Sequence, residues 1–427
     1  MVSPHPEPEV DVERPQPPGG VERPRLRRTA AAVTSLVALA ATSLIAGPAG
    51  ASAPEGPCAL PRTGAHHSLG LDTWNASYPR PDRALDAVMI FLSFPDSAPL
   101  ADPAELAADH FPATSRFYEQ ASYGKFALRA HPQLQWFRMP HASTDYGIRR
   151  DWEPARRTAY LRDALAAADP AVDFSRYDVV YLVADPDAPG VDSDATKVVN
   201  FDRPMRADGT DIRRIVTVFE RHPPDRNVLA HETGHVFDLA DLYHRPTNGK
   251  GDWDTYVGDW DVMGSQFGMA PDLFGWHKWK LGWLDQRQVR CVPPTGTSLL
   301  TLEPIAAAPT PGGSAGTRLA VVRTGRNTAL AIEARAATGN DLHTCTEGVL
   351  IYRVRSETAS GGGPVEVVDT HPGGEACWDR SVYPPLADAP LGVGETFTVE
   401  GERTRVEVAD RTPTGAWTVK ITPEVAP

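Results

Sequence analysis

Residues 228–245 have the sequence VLAHETGHVFDLADLYHR, which contains two histidines and a glutamate at the spacing His-Glu-x-x-His. A helix places residues four apart on one face, one turn along its axis. His231 and His235 could therefore hold one metal ion between their imidazoles, with Glu232 beside them to take a proton from water. The motif predicts a zinc ion and a general base, a combination that hydrolyses carbonyl compounds.

Zinc in such a site needs a third protein ligand, and two aspartates follow the motif. Asp238 shares the histidine face but lies about 4.5 Å beyond His235 along a continuing helix, too far for its short side chain. If the chain instead reverses near position 238, Asp241 can reach the ion. The reversal requires a residue that tolerates positive φ, and aspartate is one of the few that do. We therefore predict Asp241 as the ligand and Asp238 as the turn residue, with Asp238 itself or His244 as alternative ligands.

The stretch HETGHVFDLADLY resembles the extended zinc motif of the immune inhibitor A family, secreted bacterial metallopeptidases related to the metzincins. The family pattern is His-Glu-x-x-His-x-x-Gly-x-x-Asp, and this chain departs from it at Asp238, which stands in place of glycine. The chain agrees with the pattern at the ligand and general-base positions, His231, Glu232, His235 and Asp241. Further segments that resemble the family are FYEQASYGKFAL, GDWDVMGSQFG, PDLFGWHKWKLGWL and GVLIYRVR, within roughly residues 110–360.

The resemblance implies a metzincin-like catalytic domain that cleaves peptide bonds in protein or peptide substrates. It also implies that Met263 lies in a turn below the zinc ion, and that Glu232 is the general base. The alternative is a catalytically decayed protease scaffold that acts as an extracellular binding protein, with Asp238 as the mark of decay. Retention of the ligand types and of Glu232 favours the enzyme. Tyr243 and Tyr256 are both candidates to stabilise the oxyanion.

A group of aspartates separates the motif from Met263, and its members are Asp252, Asp254, Asp259 and Asp261. Calcium is a hard ion that prefers oxygen ligands, so the group is a candidate calcium site. A solvated loop is the simpler interpretation of the same residues.

Apolar runs and helical patterns alternate along the first part of the chain. Residues 86–94 and 176–185 predict buried strands, whereas 113–128 predict a helix followed by a strand and 156–169 a helix. Residues 211–220 predict a more polar strand at the edge of the sheet. Strands that alternate with helices indicate a mixed α/β domain.

We place this catalytic domain at roughly residues 83–290. Short β-rich runs separated by Gly, Pro and Asp turns predict an antiparallel β-sandwich domain at roughly 296–425. Residues 54–82 are polar and rich in turns, so we expect a mature N-terminal tail or a short pro-segment. The adjacent His66 and His67 in that segment are expected to be solvated.

The N-terminus predicts export. Several arginines up to Arg28 precede an apolar run at 30–47 and small residues at 49–53, so residues 1–53 are interpreted as a leader and bacterial signal peptide. We expect a secreted, extracellular monomer without stable membrane association, since no second apolar run reaches membrane length. A formal net charge of −13 argues against nucleic acid as a partner.

The chain has four cysteines, and an even number in an exported protein favours two disulfides. Three pairings are possible, and we favour Cys58–Cys291 and Cys345–Cys377. In the alternative, a Cys58 thiolate caps the zinc ion of a latent enzyme.

Overall fold

The computed structural model describes residues 56–246, 251–308 and 316–424. The predicted leader and signal peptide, residues 1–53, lie outside the described residues. The N-terminal half is built on one mixed sheet, whose strands are β1 Ala84–Ser93, β2 Ala127–Arg138, β3 Val179–Ala184, β4 Lys197–Ala207 and β5 Thr210–Val218. Their order is β2-β1-β3-β5-β4; all neighbours are parallel except β4, which runs antiparallel to β5.

The helices of the chain are α1 Pro103–His110, α2 Ala113–Ala121, α3 Ser143–Tyr146, α4 Pro154–Ala168, α5 Val228–Val236, α6 Gly275–Lys280 and α7 Pro384–Ala387. Consecutive residues of β1 are buried from Ala87 to Ser93. Since side chains alternate between the two faces of a strand, both faces of β1 are buried. Met89 and its like-facing neighbours pack with α1, α2 and α5, whereas Ile90 and its neighbours pack with α4. The sheet thus lies between two helical layers, and α5 carries the metal motif.

The strand predicted at 211–220 exists as β5, but its predicted edge position is wrong. Its polar half, around Arg213, reaches solvent, while Ile215 and Val216 are fully buried. The edge strand beside β5 is β4, which the sequence did not indicate because Lys197–Ala207 contains a proline and lacks a regular alternation of apolar residues. This edge strand lies next to α5.

The C-terminal half consists of two sheets that pack face to face. Their strands are β6 Val289–Cys291, β7 Ser298–Leu302, β8 Leu319–Arg323, β9 Thr328–Arg335, β10 Gly348–Arg355, β11 Val365–Val367, β12 Thr396–Val399, β13 Thr404–Arg411 and β14 Trp417–Pro423. The orders are β11-β10-β9-β8-β6 and β12-β13-β14-β7. All pairs are antiparallel except β6 with β8. The predicted sandwich is therefore present, with one parallel pair at its edge.

The outer face of the β8–β10 sheet is not solvated. Val321, Leu350 and Tyr352 from that face share a buried core with Phe237 and Trp276 of the N-terminal half. The described residues all belong to one compact unit. The regions predicted as 83–290 and 296–425 are thus joined by a continuous apolar interface.

Residues 56–82 contain no helix or strand, yet they belong to this core. Leu60, Leu69 and Leu71 are fully or almost fully buried, and His67 is only 4% exposed. This segment is therefore packed against the rest of the protein, because its leucines supply apolar surface to the junction between the two halves. The expectation that His67 is solvated is wrong for the same reason. Whether the segment is a mature tail or a pro-segment stays a prediction.

Both favoured disulfides are present, Cys58–Cys291 and Cys345–Cys377. Cys58 therefore carries no free thiolate, and the alternative in which it caps a zinc ion is wrong. Two disulfides are compatible with a protein exported to an oxidising compartment. Among the helices that the structure describes, none combines the length and apolar character that crossing a bilayer requires.

Candidate metal centre

The helix α5 ends where the metal motif requires a reversal. Phe237 closes the helix, and Asp238 has φ of +63°, the left-handed conformation predicted for a turn at this point. The Leu239 N–H then bonds back to the Gly234 carbonyl at 3.1 Å, which turns the chain across the helix end. The reversal delivers Asp241 to the histidine face of α5.

The side chains of His231, His235 and Asp241 converge. One carboxylate oxygen of Asp241, Oδ1, lies 3.3 Å from Nε2 of His231 and 3.0 Å from Nε2 of His235. One donor atom from each of the three residues lies within 4.8 Å of the others. Within the part of the chain that the structure describes, this is the one group of three or more such side chains with that geometry.

The hydrogen bonds of the two imidazoles fix which nitrogen faces Asp241. Nδ1 of His231 lies 2.8 Å from the Val262 carbonyl, and Nδ1 of His235 lies 2.8 Å from the Leu239 carbonyl. A carbonyl only accepts, so each Nδ1 carries a hydrogen, and in the neutral ring Nε2 has a lone pair. Each Nε2 therefore faces the carboxylate oxygen, an arrangement that is favourable when a proton or a metal cation lies between them. The donor set fits zinc in type, number and orientation.

The electrostatics of the site also favour positive charge at this point. Burial alone would lower the pKa of His235, but the Asp241 carboxylate outweighs burial and raises that pKa to about 9. Burial would raise the pKa of Asp241, yet the two imidazoles hold it well below its usual range. A proton or a metal cation can supply the charge that stabilises the carboxylate between the two rings.

Glu232 lies beside the three converging side chains, on α5. It is 8% exposed, and its Oε2 atom has no hydrogen-bond partner. Burial raises its pKa, while the nearby His231 and His235 and a hydrogen bond from the Val198 backbone oppose that rise. A buried carboxylate oxygen without a protein partner is free to accept a hydrogen bond from a water molecule or a ligand in the adjoining cleft.

Met263 packs directly beneath the motif helix. Its side chain is fully buried, and its backbone oxygen accepts from the Leu242 N–H at 2.9 Å. A methyl group placed on Gly234 would lie 2.3 Å from the Met263 sulfur. Met263 thus packs against α5 at Gly234, where an added methyl group would force the sulfur or the helix to move. Its role below a zinc ion stays a prediction.

Gly234→Ala is therefore expected to destabilise the protein, although alanine is the better helix former by about 1 kcal/mol. Overpacking against Met263 should reverse the sign and lower the free energy of unfolding by about 1–3 kcal/mol. Urea unfolding measures the change. Gly64→Ala is the matched control, since a methyl group there meets nothing within 4 Å. Equal stability of Gly234→Ala and wild type would contradict the contact.

Asp238 also has a role that its sequence position did not reveal. Its carboxylate lies 2.8 Å from Arg62 Nη1, 2.9 Å from His67 Nδ1 and 3.4 Å from Lys280 Nζ. The ring of His67 also stacks on that of His235, with centroids 5.6 Å apart. The sequence analysis did not predict these partners of Asp238. The one signal for them was Lys280, a charged residue within the apolar, tryptophan-rich run 271–284. Burial of Lys280 there requires a nearby anion.

Two of the four aspartates in the candidate calcium site accept hydrogen bonds from backbone N–H groups. Asp261 accepts from the Met263 and Phe274 N–H groups, and Asp259 accepts from Met269 and Val382. Within the described residues, Asp259 and Asp261 do not form a metal-ligand group with the other two aspartates, Asp252 and Asp254. Calcium therefore stays a prediction to which the structure gives no site.

Two adjoining cavities flank the converging side chains, with volumes of about 370 and 240 Å³. His231, Glu232 and Tyr243 line both. Tyr256, the other tyrosine considered for the oxyanion, instead packs its ring against His244, 5.1 Å between centroids. The cleft thus brings the metal-ligand group, an unpartnered carboxylate and one phenol together.

No family model matches the chain, and no curated protein matches it. Two crystal structures of wild-type OgpA from Akkermansia muciniphila show a distant likeness. The P 21 21 21 form is 9% identical with a TM-score of 0.27, covering 70% of this chain and 94% of its own. The P 41 21 2 form is 11% identical with a TM-score of 0.29, covering 82% and 95%. A likeness at this level carries no conclusion about family or function.

Proposed function

We propose that the protein is a secreted zinc-dependent endopeptidase. The observation that carries the proposal is the convergence of Nε2 of His231 and Nε2 of His235 on one Asp241 oxygen, with each Nδ1 held by a backbone carbonyl. Zinc, when bound by these residues, supplies Lewis acidity that polarises a carbonyl and makes water acidic enough to ionise near neutral pH. The two disulfides support the secreted location.

Glu232 is the general base in this proposal. Its free Oε2 is available to accept a proton from the attacking water and to pass it to the leaving amine nitrogen. Tyr243 lines the same cleft, and we assign it the oxyanion role in preference to Tyr256. Burial and the nearby Asp241 raise the Tyr243 pKa, so its hydroxyl keeps the proton that it would donate.

A peptide substrate is supported by the position of β4. This strand is one of the two edges of its sheet, and the Val198 backbone forms a hydrogen bond to Glu232. An extended peptide can add to such an edge through main-chain hydrogen bonds, which bind polypeptides irrespective of most side chains. A peptide bound there would pass over the metal-ligand group, which suits cleavage within a chain.

The test is zinc-dependent cleavage of casein or gelatin by the purified protein. We expect cleavage by zinc-loaded protein, loss of cleavage when a chelator removes the metal, and recovery when zinc is restored. Zinc content is measured on the same samples. A protein that contains zinc and cleaves neither substrate nor an unfolded peptide mixture would overturn the endopeptidase proposal and favour the binding scaffold.

A further inference from the structure

The Asp241 carboxylate has two oxygens, and the second of them, Oδ2, is hydrogen-bonded by the C-terminal half of the chain. Oδ1 faces the imidazoles, whereas Oδ2 accepts a hydrogen bond from the Ser360 hydroxyl at 2.8 Å. The Asp241 N–H donates back to the same hydroxyl at 2.8 Å, and the Gly361 N–H donates to the Asp241 carbonyl at 3.0 Å. Three hydrogen bonds thus join one candidate ligand to a loop 119 residues further along the chain.

This loop, residues 356–364, connects β10 to β11 in the sandwich and is itself held from two sides. At its start, the Ser356 carbonyl accepts from the Thr63 and Ser68 hydroxyls, each at 2.6 Å. At its centre, the Ser360 N–H donates to the His66 carbonyl at 3.2 Å. The N-terminal segment therefore fixes the loop, and the loop fixes Asp241.

Asp241 depends on such support because it lies outside any helix or strand, in the reversal that follows α5. The two histidines are positioned by α5 and by the Nδ1 bonds described above, but a carboxylate on irregular backbone has no comparable constraint. Residues that orient a metal ligand commonly contribute 10- to 100-fold to metal affinity.

We propose that the loop 356–364 is part of the metal centre, with Ser360 as a positioning residue that orients Asp241 for zinc. The C-terminal sandwich then completes the site instead of acting as an accessory domain. This inference rests on the proposed zinc function, because it assigns Ser360 a role only through the ligand Asp241.

The experiment compares zinc affinity in the purified full chain by competition with a chromophoric chelator. Ser360→Ala is expected to raise the zinc Kd by about 10- to 100-fold, and Ser360→Thr, which keeps the hydroxyl, to restore most of the affinity. Ser356→Ala is the matched control on the same loop: its buried hydroxyl has no hydrogen-bond partner, and its contacts use the backbone. Its zinc Kd should equal that of wild type.

Unfolding of the metal-free variants separates local from global effects. A purely structural serine would lower metal-free stability without changing the zinc Kd, and that result overturns the proposal. If Ser360→Ala fails to fold, Thr63→Val combined with Ser68→Ala removes both hydroxyls that hold the Ser356 carbonyl, and an unchanged zinc Kd in that variant also overturns it. If the wild-type protein does not bind zinc, the proposed function itself is wrong. If wild type binds zinc and Ser360→Ala binds it equally well, only this inference is wrong.

Discussion

Glu232→Gln is expected to lower kcat/KM for a peptide substrate by about 10²- to 10⁴-fold, the usual contribution of a general base. The substitution keeps the shape of the side chain and an oxygen for the Val198 N–H. It removes the ability of the free Oε2 to accept a proton. Because Glu232 is not among the three converging donor residues, zinc content should be unchanged.

The measurement is steady-state cleavage of a fluorogenic peptide, with zinc content determined on each sample. Glu119→Gln, an exposed glutamate on α2, makes the same chemical change away from the cleft and should retain wild-type activity. If Glu232→Gln cleaves as fast as wild type, another residue transfers the proton and the mechanism is wrong. If it loses zinc as well as activity, Glu232 supports the metal instead of the proton transfer.

The part of the site within one stretch of sequence could be predicted from the sequence alone. Helical spacing places His231 and His235 on one face, and the short reach of an aspartate side chain favours Asp241 over Asp238. The same reasoning predicts the positive φ at Asp238, because few residues other than glycine tolerate it. These are local consequences of helix geometry, and they need no knowledge of the tertiary fold.

The supports of the site could not be predicted, because they come from distant segments without a periodic pattern. Ser360 lies in a glycine-rich loop, and serine at such a position is typical of any solvated turn. His67 lies in a polar segment whose burial depends on packing between the two halves of the chain. The edge strand β4 was missed because one proline and several charges obscure its alternation. Tertiary contacts decide all three features.

Asp238 is the residue at which sequence resemblance and structure lead to opposite expectations. The resembling motif has glycine there, and glycine adopts positive φ without the strain of about 1 kcal/mol that a side chain adds. On backbone grounds, Asp238→Gly should stabilise the protein. However, the aspartate is buried and faces Arg62, His67 and Lys280, of which Lys280 is 3% exposed.

We expect Asp238→Gly to lower the free energy of unfolding by about 2–4 kcal/mol. Removal of one partner from a buried ion pair costs about 3–5 kcal/mol, which exceeds the relief of backbone strain. Burial already lowers the Lys280 pKa to about 8, with Asp238 opposing the effect. Loss of Asp238 would therefore leave an ammonium group that burial strongly disfavours.

Denaturant unfolding of three variants separates the contribution of the Asp238 charge to the free energy of unfolding from that of the backbone conformation. Asp238→Asn keeps a side chain that tolerates positive φ but loses the charge, so it should destabilise the protein without any gain from glycine. Asp238→Gly combined with Lys280→Met removes both charges, and it should recover part of the stability lost in Asp238→Gly alone. An Asp238→Gly protein at least as stable as wild type would mean that Arg62 and Lys280 do not need this carboxylate. The aspartate would then be only a tolerated substitute for glycine in the turn.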